Sequence, residues 1–144
     1  MIQKWLFVAG ALPLLALGVL HTLYIFFDAM KPRRIVPRDR ELIDKMKAST
    51  LRLTNETDMW RAWIGFNYSH GLGVTTIAGF YLYMALFQFE ALQALPIIQY
   101  AAPVLAACYV ILAWQYWFKI PLIGATLSLV LFAAAASMPS GIGL

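Results

Sequence analysis

The sequence predicts an all-α fold: a four-helix transmembrane bundle, up-down-up-down, with a short amphipathic helix in its first cytoplasmic loop. Three observations lead there. Of 144 residues, 62% are hydrophobic and 12% charged, where a soluble domain carries about 25% charged residues. The apolar residues gather in four runs, near 5–27, 60–87, 99–117 and 121–138. At about 1.5 Å per helical residue, each run reaches across or close to a hydrocarbon core about 30 Å thick. Nine of the eleven Lys and Arg residues fall between Asp28 and Arg61. Four spans and one polar loop, 28–59, use the whole length, so the expected organisation is a single transmembrane domain over residues 1–144.

The first span opens behind Lys4 and must stop near Asp28 to Met30, because Pro32 and Pro37 disfavour helix at the residues before them. A run behind Lys4 with small Ala16 and Gly18 also has the pattern of a secretory signal. Cleavage there would carry nine cations across the membrane, against the positive-inside rule, so the run is expected to stay as a span. From Arg38 to Leu53 the apolar residues Leu42, Ile43, Met46 and Leu53 recur at helical spacing with charges opposite. This is the amphipathic helix, lying on the membrane surface or against the ends of the spans.

Asn55, Glu56, Thr57 and Asp58 supply capping groups for the second span. Trp5, Trp60, Trp63, Trp114, Tyr116 and Trp117 stand where spans meet headgroups, as aromatic belts do. The loop from Gln88 to Ile98 has Glu90 and no cation. Few residues separate the third span from the fourth around Lys119, so those two are expected to be adjacent and antiparallel. Basic residues are retained in the cytoplasm, which places the Asp28–Arg61 segment inside and both termini outside a bacterial cytoplasmic membrane.

Composition also excludes. The net charge of +4 follows from topology and points to anionic membrane lipid rather than nucleic acid as a partner. Cys108, the single cysteine, rules out an intrachain disulfide or redox pair; it is expected to be a small buried side chain. No catalytic constellation, metal-ligand spacing or phosphate-binding loop is present, so neither catalytic nor metal residues are assigned and no enzyme activity is expected.

The most specific stretch runs from Trp60 to Gly73. Gly65, Ser69 and Gly73 recur every four residues, a stripe of small side chains along which another helix can approach closely. Asn67 and His70 share a different face one turn apart. The first span supplies a complement in His21, Tyr24 and Asp28, at i, i+3 and i+7. His21 lies about 10 Å from the Asp28 end and His70 about 15 Å from the Trp60 end, so the only two histidines can meet if the spans are neighbours. Polar groups at that depth need partners. Three roles remain open: interhelical hydrogen bonds that set register; axial ligation of haem b by His21 and His70, with Gly71 and Gly73 leaving room for the macrocycle, or of a chlorophyll-type pigment by one of them; or a proton or small-ligand site formed by His21, Tyr24, Asp28, Asn67 and His70.

The run W-x2-W-x-G-F-N-x-S-H-x-L-G, from Trp60 to Gly73, is similar to one in a family of small bacterial four-span membrane proteins of unknown function. That resemblance covers most of the chain and implies the architecture but no chemistry. The expected function is a structural or accessory subunit docked on other membrane-protein subunits, with a bis-histidine haem-b electron carrier or a carrier of a small apolar ligand (lipid, quinone or sterol-like) as alternatives.

Overall fold

The computed structural model describes residues 1–139. They form six helices: α1 (Ile2–Met30), α2 (Arg40–Ala48), α3 (Met59–Phe87), α4 (Phe89–Ala94), α5 (Pro96–Tyr116) and α6 (Lys119–Ser137). Four of these, α1, α3, α5 and α6, are long and apolar enough to cross a membrane, which makes the chain an integral membrane protein. The only extended pairing among the described residues is a single antiparallel bridge between Thr50 and Asp58.

The helix ends follow local chemistry. The Asp39 carboxylate accepts from the Glu41 amide at 2.9 Å and starts α2, while Asp58 Oδ1 accepts from the Arg61 amide at 2.7 Å and starts α3. Such caps satisfy amides that have no partner inside the helix. The amphipathic helix is shorter than its apolar pattern, ending at Ala48, because Ser49 leaves helical geometry to accept from the Met59 amide at 2.8 Å. Lys119, expected in the turn, instead opens α6, and Pro121 falls in its first turn, where a missing N–H costs nothing. One element is new: α4 lies in the expected loop, too short to show a period.

By internal contacts the chain divides into two compact units, one made of Met1–Leu17 with the chain from Val74 onward, the other Gly18–Gly73. In the first, α1 contributes Phe7, Ala11 and Leu14, α3 contributes Val74, Ala78, Tyr81 and Ala85, and α5 and α6 add Ala102, Ala106, Ala125, Phe132 and Ala135. The repeated alanines let backbones come close, the main source of helix association where lipid is as apolar as any side chain. Phe132 fills the centre, 6.0 Å from the Phe7 ring and 5.5 Å from that of Tyr81. Gly10 leaves it room: a Cβ there would stand 2.7 Å from the Phe132 ring.

A polar knot closes one end of this unit. Gln3 is 4% exposed and Gln99 5%; Gln3 Nε2 donates to Ala135 O at 3.0 Å and to Gln99 Oε1 at 3.4 Å, while Gln93 Nε2 donates to Gln3 Oε1 at 2.8 Å. Lys4 Nζ donates to Leu86 O at 3.1 Å, a cation at the negative end of α3. Gln3→Leu is expected to lower stability by about 2 kcal/mol, since it takes a partner from the buried amide of Gln99 and the half-buried amide of Gln93. The thermal midpoint in detergent measures it, and an unchanged midpoint would deny the knot a role.

Two expectations about side chains are corrected. Cys108 is exposed: a small apolar thiol on an outward face of a transmembrane helix meets lipid at no cost, so it has no need of the core. Trp60 is 9% exposed and lies under the Lys47 ammonium, 5.8 Å from the ring centroid. It packs within the Gly18–Gly73 unit instead of forming part of a belt; Trp5, Trp114 and Trp117 remain exposed.

Candidate functional site

The Gly18–Gly73 unit holds every residue singled out as a possible ligand. His21 on α1 and His70 on α3 meet, their ring centroids 5.3 Å apart and their planes 82° to one another. Asn67, 8% exposed, lies one turn before His70, donates from Nδ2 to Trp63 O at 2.9 Å, and also interacts with the His21 ring. The Nε2 of His21 is buried and makes no hydrogen bond. These three residues come together as their spacing requires.

Tyr24 and Asp28 do not join them. The Asp28 carboxylate is fully buried but turns to the chain after α1, where Oδ1 accepts from the Arg33 and Arg34 amides at 3.0 and 3.1 Å. Oδ2 accepts from Arg34 at 3.2 Å and Ile35 at 2.6 Å. Three consecutive amides around one carboxylate form an anion nest whose anion is the chain's own. Tyr24, 37% exposed, stacks under the Arg34 guanidinium at 4.7 Å. Trp63 Nε1 donates to Ile35 O at 3.0 Å and ties the turn to α3.

The small residues also divide differently from the expected stripe. Gly65 and Gly73 have no other atom within 4 Å of where a Cβ would stand, and Ser69 is exposed and donates to Phe66 O. The close approach is made by Gly71, whose Cβ would stand 2.5 Å from Thr22 Oγ1, 3.0 Å from His21 Cδ2 and 3.1 Å from the Thr22 nitrogen. Comparisons with family models, curated proteins and solved structures find no match.

That geometry favours a structural contact. Two rings packed edge to face, beside a glycine against which α1 lies directly, leave no slot for a flat macrocycle between them. No group of three metal-ligating side chains exists among the described residues. Clefts of about 440 and 380 Å³ lie elsewhere, the first lined by residues such as Lys4, Phe87 and Glu90, the second by residues such as Gln3, Gln93 and Met138. The polar lining of both is close to groups that already cap or close helix ends. The sequence pattern missed the Asp28 nest and the glutamine knot, although buried glutamines and an aspartate in an apolar chain are themselves a signal of internal hydrogen bonding.

Proposed function

We propose that the chain is a non-enzymatic protein of the bacterial cytoplasmic membrane, a structural or accessory subunit of a larger membrane assembly, with its basic segment inside and both termini outside. One observation carries the subunit reading. Gly65, Ser69 and Gly73 form a helix-docking strip on α3, and its two glycines face open space. Small residues recurring every four positions suit close packing of another transmembrane helix. The likeness of the Trp60 to Gly73 segment to small four-span bacterial membrane proteins supports the same architecture.

A Cβ at Gly65 or Gly73 has no atom within 4 Å, so Gly65→Leu with Gly73→Leu should leave the fold and its melting intact while ejecting the partner. Gentle solubilisation followed by native mass measurement should give a complex for the wild type and the chain alone for the variant. A wild-type preparation consisting only of the single chain would overturn the reading.

The haem alternative draws on the buried, unbonded Nε2 of His21. Iron ligated by both imidazoles would require the rings to face each other across a porphyrin, and the edge-to-face pair does not fit that group without parting α1 from α3. Protein from haem-replete cells is therefore expected to be colourless, and a Soret band with a sharp α band on reduction would reinstate the cofactor.

A further inference from the structure

The nine cations between Asp28 and Arg61 are more than a topology signal, because three of the six acidic residues in that segment are turned to backbone amides. Asp28 holds backbone amides, Asp39 and Asp58 cap helices, and the only ion pair among the described residues is Lys45 with Glu41 at 2.8 Å. Retention on one side of a membrane requires positive charge but no ordered turn. Here a fully buried carboxylate organises the turn that carries Arg33 and Arg34, both exposed. The nest amides already hold Asp28, so only the guanidinium groups are available to a further anion.

Arg34 is held over Tyr24, that is, back along α1 toward the apolar part of the helix. Beside it, Leu23, Phe26, Phe27 and Met30 recur at i, i+3, i+4 and i+7 and are 45%, 50%, 48% and 66% exposed. This is one continuous apolar face, ending at the basic turn. A ligand that fits both is amphipathic, with an anionic head and aliphatic tails. Guanidinium pairs best with oxyanions that accept two parallel hydrogen bonds, and phosphate is such a group.

We propose that Arg33 and Arg34 bind the phosphate of an anionic phospholipid whose acyl chains lie along the Leu23–Met30 face of α1. The site does not depend on the subunit reading and exists equally in a stand-alone chain.

The test uses the full-length protein, delipidated in neutral detergent and titrated with phosphatidylglycerol or phosphatidylcholine of identical acyl chains, with bound lipid counted by native mass spectrometry. Phosphatidylglycerol should be retained in preference to phosphatidylcholine. The R33Q/R34Q protein should bind it about thirtyfold more weakly, at roughly a tenfold loss or less per cation near the surface. The R38Q/R40Q protein, which loses the same charge from the same segment, should stay within about threefold of wild type. Equal losses in the two variants would mean diffuse attraction and overturn the proposal. So would unchanged binding in R33Q/R34Q, or displacement of the lipid by millimolar inorganic phosphate, which would assign the arginines to a soluble anion. All four positions are exposed, and circular dichroism of each variant should match wild type.

Discussion

Asp28→Ala is expected to release the turn after α1 and to lower stability by about 3 kcal/mol or more, the largest single loss among polar substitutions here. The carboxylate accepts from the amides of Arg33, Arg34 and Ile35, the shortest bond being 2.6 Å. Its removal leaves three neighbouring donors without an acceptor in a partly buried place. Hydrogen bonds to a charged acceptor contribute about 1.5 to 3 kcal/mol each, and the loss of freedom already imposed by Pro32 does not replace them. Asp28→Asn keeps one acceptor oxygen and should fall roughly midway, near 1.5 kcal/mol. Hydrogen exchange reads the effect locally: the amides of residues 33 to 35 should exchange slowly in the wild type and fast in the alanine variant. Equal protection in both would show that the nest is incidental. Since Trp63 Nε1 bonds to Ile35 O, tryptophan fluorescence should report the same release.

Gly71→Ala should destabilise the chain by about 2 to 3 kcal/mol, and Gly71→Leu by more, as overpacking does. A methyl group there meets the Thr22 hydroxyl at 2.5 Å and the Thr22 backbone nitrogen at 3.1 Å. Neither can yield easily, because the hydroxyl bonds to Gly18 O at 2.8 Å and the nitrogen belongs to α1. The helices must separate, which also parts His21 from His70. Gly73→Ala is the control. It has open space and lies inside α3, where alanine in place of glycine contributes about 0.5 to 1 kcal/mol of added stability. Two glycines two residues apart thus have effects of opposite sign, read from thermal unfolding in detergent. A stabilised Gly71→Ala protein would refute the close approach.

The contrast between those glycines shows where reading from sequence runs out. Spacing alone marks Gly65, Ser69 and Gly73 as a stripe, and it exists, but the helix that touches α3 within this unit does so at Gly71. Likewise His21, Tyr24 and Asp28 share a face by their i, i+3, i+7 spacing. Only His21 reaches the α3 polar residues, because Tyr24 and Asp28 are taken by a turn whose path spacing on α1 does not describe. The meeting of His21 with His70 was legible for neighbouring spans, since similar depth follows from the helical rise alone. The helix start at Asp58 was legible in kind, as a capping side chain acts within three residues of itself. The end of α2 was not, for it depends on Ser49 pairing with Met59.

By itself, the sequence determined that four apolar helices cross a membrane and that the cations collect in one connecting segment, because hydropathy and charge are sums over neighbouring residues. Tertiary structure alone decided which face of each span packs and which polar groups pair: Gln3 with Gln93 and Gln99, Asp28 with its turn, Gly71 with Thr22. The reason is physical. In water a helix declares its buried side by polarity, whereas lipid and protein interior are both apolar, so rotation of a span about its axis leaves almost no trace in composition. It is set by a few close backbone approaches and hydrogen bonds that exist only once the helices have met.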